Sequence, residues 1–251
     1  MVTVRLKNTF KKKKNNSIAK VSFVWEKGCT KLKNEDSILA RSFQTKLGEV
    51  LFVCVCDGMG GVQNGEIASL YAITKLEQEF VYNFIPAILE GKKRNYLIGI
   101  GKQCFIKAND ALNQYSEIKK MKLGTTASVL ILFNNQYYTF HLGDSPIYLM
   151  NRFAIQLTKE HRLNLHTLTK CMGLKQNFIP EVHHGYYRNK TSFLVATDGF
   201  INVYGRQKIM KLLSSHRKDS CGNHNKSLGE IAKRNIKRGE KDNMSAIYIE
   251  L

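Results

Sequence analysis

The chain has 251 residues, 43% of them hydrophobic, and a formal net charge of +19 at pH 7. The hydrophobic fraction argues against a disordered chain, and no apolar run approaches the roughly 18 residues of a membrane span, so we expect no membrane insertion. The basic amino terminus lacks a signal peptide's apolar core, and the six cysteines lack paired metal spacing. We therefore expect reduced thiols and a cytoplasmic location. The positive charge could attract nucleic acid, an anionic membrane surface or acidic phosphoproteins, but aromatic and basic residues do not interleave as nucleic-acid surfaces require.

The first part of the chain is predicted to hold a basic extension and the start of a single domain. Residues 1–20 form the predicted N-terminal extension or peripheral strand, and their run Lys11–Lys14 is typical of a solvated tail, with a docking role left open. No linker or repeat divides residues 21–251, which we predict to be one domain. The first strands of this domain are predicted at Val21–Trp25, Ile38–Ser42 and Val50–Cys56.

Asp57 follows the apolar run Val50–Cys56 and precedes a glycine-rich turn. The glycines at 58, 60 and 61 allow a sharp turn at little steric cost. Asp57 would therefore stand at the tip of a rigid strand, which is a suitable position for a metal ligand. A single Asp-Gly dipeptide, however, is more often only a turn.

An acid at the edge of an apolar run recurs elsewhere in the chain. The further cases are Asn34-Glu35-Asp36 before Ile38-Leu39-Ala40, Asp198-Gly199 after Phe193–Thr197, and Asp242-Asn243 before Met244–Leu251. Carboxylates placed in this way could meet at one end of a sheet. Their oxygen atoms are the ligands that Mg²⁺ and Mn²⁺ prefer.

Two segments between Asp57 and the motif Gly124-Thr125-Thr126 have helical periodicity. Apolar residues recur every three or four positions over Gly65–Phe84 and over Leu97–Tyr115, which predicts two helices separated by breaks at Pro86 and Gly91. In the second half, a hairpin is predicted from Ala127–Phe133 and Tyr137–Leu142, followed by a strand at Ile147–Met150. Two helices are then predicted at Phe200–Ser214 and Leu228–Arg238, and a last strand at Ser245–Leu251. This order predicts an α+β fold rather than a doubly wound parallel sheet.

Seven short motifs, taken in chain order, resemble those of metal-dependent protein phosphatases of type 2C. They are Asn34-Glu35-Asp36, Asp57-Gly58-Met59-Gly60-Gly61, Gly65-Glu66-Ile67-Ala68-Ser69, Gly124-Thr125-Thr126, Gly143-Asp144-Ser145, Ala196-Thr197-Asp198-Gly199 and Asp242-Asn243-Met244-Ser245. The resemblance extends over residues 21–251. The methionine at position 59 resembles the residue that the bacterial branch of the family has there. It implies a four-layer α-β-β-α sandwich with two central antiparallel sheets, metals at one end, and a flap-like segment near residues 158–190.

The resemblance also implies a serine/threonine phosphoprotein phosphatase that hydrolyses phosphate monoesters with water activated by two divalent cations, Mn²⁺ or Mg²⁺. The implied substrates are phosphoproteins, and a cognate serine/threonine kinase is a candidate partner. The implied catalytic residues are Asp57, Asp198 and Asp242. In the family pattern Asp57 binds both ions, and the Gly58 carbonyl is a further ligand. Asp198 and Asp242 are the implied ligands of the first ion. Glu35 and Asp36 are the implied ligands of the second.

Two positions depart from the family pattern. Lys31 stands where the family usually has an arginine that binds the substrate phosphate, and lysine keeps the charge without the planar fork. Residues Lys119–Leu123 hold no acid, the nearest one being Glu117, which leaves a third metal ion doubtful. The alternative is therefore a weakly active or inactive pseudophosphatase that acts as a phosphoprotein-binding regulatory module.

Overall fold

The computed structural model describes residues 19–59, 64–151, 153–164, 167–173, 178–215 and 224–251. The predicted N-terminal extension lies outside the described residues up to position 18, as do Gly60, Gly61 and parts of the predicted flap segment. Among the helices of the described residues, none is long and apolar enough to cross a membrane.

The described strands form two five-stranded sheets and one small hairpin, and all neighbouring strands are antiparallel. In chain order they are β1 (Lys20–Glu26), β2 (Asp36–Thr45), β3 (Gly48–Asp57), β4 (Ala127–Phe133), β5 (Gln136–Leu142), β6 (Ile147–Met150), β7 (Ala154–Gln156), β8 (Arg162–Asn164), β9 (Thr167–Leu168), β10 (Glu181–Tyr186), β11 (Ser192–Ala196) and β12 (Met244–Glu250). The first sheet has the order β1-β12-β11-β6-β7 and the second the order β10-β5-β4-β3-β2. Strands β8 and β9 pair with each other within the predicted flap segment.

Helices cover the outer face of each sheet. They are α1 (Gly65–Glu79), a π-helical turn (Phe80–Phe84), α2 (Ile85–Leu89), α3 (Arg94–Lys119), α4 (Asp198–Ile201), α5 (Arg206–Ser215) and α6 (His224–Lys237). The apolar faces of α1 and α3 share one core with the second sheet, and α4, α5 and α6 share another with the first. A third core lies between the sheets. The described residues therefore confirm the predicted α+β fold with four layers, α-β-β-α.

Strand β3 is apolar from Val50 to Cys56 because both of its faces are buried there. Val50, Phe52, Cys54 and Cys56 face the helices, whereas Leu51, Val53 and Val55 face the other sheet. The Sγ atoms of Cys54 and Cys56 lie 3.7 Å apart, and both cysteines are free, as the sequence predicts. The strand beneath Asp57 is thus held from both sides.

Two helix predictions need correction. Pro86 does not break the first helical segment, because it lies in the first turn of α2, where proline is tolerated, and the break comes at Gly91 instead. The predicted helix Phe200–Ser214 is divided into α4 and α5 at Gly205, which has a φ of +86°. Such a φ favours glycine and ends a helix.

The contact between α3 and the second sheet requires glycine at position 101. A Cβ atom there would lie 2.0 Å from Cζ of Phe140, which is fully buried against Phe80 and Phe105. We expect Gly101→Ala to lower the free energy of unfolding by about 1–3 kcal/mol, because the ring has no space to move into.

Gly99 provides the matched control in the same helix. A Cβ atom at position 99 meets no heavy atom within 4 Å. We expect Gly99→Ala to raise the free energy of unfolding by about 0.5–1 kcal/mol through helix propensity alone. Urea unfolding followed by circular dichroism measures both variants, and equal shifts in the two would contradict the proposed packing conflict.

Candidate active site

The site begins where strands β2 and β3 lie side by side. Asp36 is the first residue of β2 and Asp57 is the last of β3, and the two are directly paired in the antiparallel register. The backbone N–H of Gly58 donates to the carbonyl of Glu35 at 3.1 Å. Pairing of neighbouring strands therefore places three of the predicted ligands, Glu35, Asp36 and Asp57, at one end of the second sheet.

Two threonines fix the backbone of Asp57. Thr126 donates its N–H to the Asp57 carbonyl at 2.8 Å and accepts the Asp57 N–H on Oγ1 at 2.9 Å. The hydroxyl of Thr125 donates to the same carbonyl at 2.8 Å. These bonds explain what the predicted Gly124-Thr125-Thr126 motif does, because they hold the tip of β3 against the start of β4.

The turn after Asp57 can accept only glycine at position 58. A Cβ atom there would lie 2.1 Å from the carbonyl oxygen of Gly65, the first residue of α1. Gly65 is equally constrained, since its Cβ would lie 2.9 Å from Oε1 of Glu35. The amino-terminal end of α1 therefore packs closely on the turn and on Glu35.

The first sheet contributes Asp198 and Asp242. Asp198 begins α4, two residues after the end of β11, and a Cβ atom on Gly199 would lie 3.3 Å from Cβ of Asp242. Thr197 links the two sheets, because its hydroxyl donates to Oδ2 of Asp36 at 3.2 Å. The structure thus brings all six predicted ligand positions to the same end of the sandwich.

Asn243 holds the predicted ligands in place, a role that the sequence analysis did not assign. Its Oδ1 accepts the backbone N–H of Glu35 at 2.8 Å, and its Nδ2 donates to the carbonyls of Lys33, at 3.3 Å, and Lys27. Glu35 and Asn243 are 208 positions apart in the chain. The only sequence signal was the position of Asn243 beside Asp242 in the last of the seven motifs.

Burial and mutual repulsion raise the pKa of the central acids. The pKa of Asp57 lies well above its ordinary value, first because of burial and then because of the like charges of Asp36, Asp198, Asp242 and Asp144. Burial, followed by the charges of Asp144 and Asp242, raises the pKa of Asp198 to about 7. Burial is also the main cause that raises the pKa of Asp36 to about 7. Since repulsion between charges falls with distance, these acids share one region.

Asp144 is a further buried acid of this region, quoted in a motif but given no role from the sequence. Burial is the main cause that raises its pKa. The preceding Gly143 is held by His161, whose Nδ1 accepts the Gly143 N–H at 3.2 Å and whose backbone N–H donates to the Gly143 carbonyl at 2.8 Å. The signal for Asp144 was again an acid placed after an apolar strand.

Lys31 lies between two of the acids. Its Nζ atom is 2.9 Å from Oε2 of Glu35 and 3.2 Å from Oδ1 of Asp242. Burial opposes the ammonium charge, but the hydrogen bonds and charges of these two acids outweigh it and raise the pKa of Lys31. Lys31 is therefore a charged side chain inside the predicted site, and it is paired with predicted ligands of both ions.

The acids fit a divalent cation by their chemistry. Oδ1 of Asp36 is buried without a hydrogen-bond partner in the described part of the chain, and a buried oxygen left unpaired is costly. All of the predicted ligands offer oxygen donors, which suits Mg²⁺ and Mn²⁺. Among the described residues, no three or more His, Cys, Asp or Glu side chains already form a group that could hold a metal ion.

Solved structures identify the fold class. The chain is similar to the serine/threonine phosphatase Stp1 from Staphylococcus aureus, with a TM-score of 0.77 and 20% identity over 97% of this chain and 99% of that one. It is also similar to the catalytic domain of the phosphatase PstP in complex with two manganese ions, with a TM-score of 0.72 and 20% identity over 92% of this chain and 97% of that one. The chain therefore has the fold of bacterial serine/threonine phosphatases.

Sequence comparisons identify the family. The family profile described as Protein phosphatase 2C matches residues 15–167. A curated relative, the protein phosphatase PhpP of Streptococcus pneumoniae, is 24% identical over 78% of this chain and 84% of its own length. A putative protein phosphatase of Mycoplasma pneumoniae is 27% identical over 55% of this chain, which spans about half, 53%, of that relative. The chain belongs to the protein phosphatase 2C family, a family of hydrolases, and the resemblance read from its motifs is confirmed.

Proposed function

We propose that the chain is a metal-dependent serine/threonine phosphoprotein phosphatase that hydrolyses phosphate monoesters with water. The observation that carries the proposal is the group of buried acids at one end of the sandwich, where Asp36, Asp57 and Asp198 all have raised pKa values. Such a group is costly to bury unless cations balance it. Membership of the family and the printed names of the relatives support the same activity.

The donor set suits two hard cations. In this proposal Asp57 would serve both cations together with the Gly58 carbonyl, Asp198 and Asp242 would hold the first cation, and Glu35 and Asp36 would hold the second. When bound, Mn²⁺ or Mg²⁺ would supply the charge that lowers the pKa of a water molecule and neutralises the phosphate. The two manganese ions of PstP support Mn²⁺, and Mg²⁺ remains the second candidate. The lack of an acid over Lys119–Leu123 argues against a third ion of the same kind.

The protein's own groups would position the reactants. Lys31 is charged and half-buried beside Glu35 and Asp242, so its ammonium group would bind a phosphate oxygen of the substrate. Thr126 and Asn243 keep the backbone segments of Asp57 and Glu35 in place. The proposed substrates are phosphoproteins, a cognate serine/threonine kinase is a candidate partner, and the proposed location is the cytoplasm.

Metal dependence tests the proposal directly. The full chain is stripped with a chelator and assayed for phosphate release from a phosphothreonine peptide and from an aryl phosphate. We expect no release in the stripped protein and recovery on addition of Mn²⁺ or Mg²⁺, because the acids alone cannot neutralise the phosphate. Hydrolysis that persists in the chelator would refute the metal-dependent mechanism.

The alternative proposal is a pseudophosphatase that binds phosphoproteins without efficient hydrolysis. It is favoured by the pairing of Lys31 with two acids, which competes with phosphate binding, and by the lack of an acid before Gly124. A Mn²⁺ titration with a fluorescent phosphopeptide separates the two functions. Binding without phosphate release would support the pseudophosphatase, whereas turnover would support the enzyme.

A further inference from the structure

Two chain segments that carry exposed lysines are hydrogen-bonded near the Asp57 end of the site, and the phosphatase chemistry proposed above does not use these lysines. We call Lys119, Lys120, Lys122 and Lys170 the basic rim. All four side chains are exposed. They come from two separate segments, one at the C-terminal end of α3 and one after β9.

The first segment of the basic rim is fixed close to Asp57. Lys120 ends α3 with a φ of +53°, and the chain then runs through the exposed Lys122 and the buried Leu123 to Gly124. The carbonyl of Gly124 accepts the backbone N–H of Met59 at 3.0 Å. Lys122 is therefore two residues from a chain segment that is hydrogen-bonded just beyond Asp57.

The second segment of the basic rim is bonded to the chain around Leu123 and Thr125. Met172 exchanges backbone hydrogen bonds with Thr125, at 3.1 Å and 2.9 Å. Gly173 packs on Leu123, because its Cβ would lie 2.1 Å from the Leu123 carbonyl oxygen. Lys170 precedes Met172 by two residues, and Met172 pairs with Thr125, whose hydroxyl donates to the Asp57 carbonyl.

The basic rim carries four positive charges on exposed side chains. None of its four lysines forms an ion pair among the described residues, whereas Lys31 and Lys33 at the other side of the site are both paired with glutamates. The charge of Lys170 also reaches His161, whose pKa is lowered first by burial and then by this lysine. A positive surface of this kind raises the local concentration of anionic partners.

We propose that the basic rim binds acidic residues next to the phosphorylated residue, so that the preferred substrates are phosphoprotein segments with flanking carboxylates. This inference rests on the proposed phosphatase function. The phosphate group would enter the site beside Asp57, while aspartate or glutamate side chains one to several residues away contact Lys122 and Lys170. Exposed ion pairs are individually weak, so the preference comes from several acting together.

Three phosphothreonine peptides test the proposal with the full chain and Mn²⁺. They differ only in their flanking residues, which are acidic, neutral or basic. We expect kcat/KM for the acidic peptide to exceed that for the neutral one by about tenfold, mainly through KM, and the basic peptide to be poorest. The ratio should shrink as salt rises from about 50 mM to about 300 mM, because exposed charges are screened.

Charge reversal locates the preference on the molecule. Lys122→Glu combined with Lys170→Glu should remove or invert the ratio between acidic and neutral peptides. The matched control, Lys92→Glu combined with Lys93→Glu, makes the same change of charge at the other end of α3, about 39 Å away along the 26-residue helix. This control should keep the wild-type ratio.

The possible failures are distinguishable. Equal turnover of the three peptides by the wild-type chain would overturn the basic-rim proposal and leave the phosphatase intact. If no peptide or aryl phosphate is hydrolysed, the phosphatase proposal fails, and fluorescence anisotropy with the same peptides decides the rim proposal by their relative affinities. Tight binding of a DNA oligonucleotide that Lys122→Glu with Lys170→Glu abolishes, without any peptide preference, would identify a nucleic-acid surface and overturn it.

Discussion

Replacement of Asp57 by asparagine is expected to abolish Mn²⁺-dependent phosphate release and, at the same time, to make the metal-free protein more stable. Activity should fall by at least about a thousandfold, which corresponds to roughly 4 kcal/mol of transition-state stabilisation, because Asp57 is the acid that the proposal places between both cations. Stability should rise by about 0.5–2 kcal/mol, because a neutral amide removes one buried charge from a repelling group.

The pH dependence of the metal-free protein follows from the burial of these acids and, in addition, from their mutual repulsion. The pKa of Asp36 and of Asp198 rises from 3.8 to about 7 on folding. Between these two pH values the folded state keeps both acids protonated, whereas the unfolded state has already released the protons. The free energy of unfolding should therefore fall as pH rises through this window, and the loss should be complete above about 7. Asp57→Asn should weaken this slope, because it removes one of the interacting charges.

Phosphate release and thermal unfolding measure the two effects on the same samples. Asp110→Asn is the matched control, because Asp110 is exposed on α3. It should change neither activity nor stability by a measurable amount. Full activity of Asp57→Asn would remove the proposed mechanism, and a large loss of stability would show that Asp57 is a structural residue. Asp198→Asn should lose activity in the same way.

The elements of this fold could be predicted because their patterns are local. The uninterrupted apolar run of β3 reflects burial on both faces, and the acid at its tip marks the end of the strand. The continuous helical turn at Phe80–Phe84 could not be predicted, because it depends on packing. Phe80 and Phe84 lie against Phe140, whose strand is far away in sequence.

The contacts that complete the site could not be predicted, because they join the two sheets. Thr197 reaches Asp36 across 161 positions, and Asn243 reaches Glu35 across 208. No pattern along the chain indicates which polar side chain will face another across a sandwich, since this depends on how the two sheets are stacked. The sequence therefore indicated which acids could share a site, and the structure shows which neutral residues hold them there.

Removal of the ammonium group of Lys31 should strengthen the binding of Mn²⁺ and weaken the binding of the phosphopeptide substrate. In the structure this group is paired with Glu35 and Asp242, which the proposal assigns to the two cations. A cation that binds these acids would compete with the lysine for their negative charge. We therefore expect Lys31→Met to bind Mn²⁺ about tenfold more tightly, because the competing charge is gone. The KM for a phosphopeptide should rise by a similar factor, because the phosphate loses a charge-assisted hydrogen bond.

Calorimetric titration of the chelator-stripped protein with Mn²⁺ gives the first quantity, and phosphate release gives the second. Lys33→Met is the matched control, since Lys33 is close in sequence but pairs with Glu66 rather than with Asp242. Lys31→Arg should keep or raise substrate affinity, because the planar guanidinium can bind phosphate through two hydrogen bonds. Weaker Mn²⁺ binding by Lys31→Met would show that the lysine supports the ligands instead of competing with the metal. A large loss of substrate affinity in Lys31→Arg would show that the phosphate is bound elsewhere.

The exchange of Lys31 between acids and phosphate would make substrate binding depend on prior metal binding, because only the cations release the lysine for the phosphate.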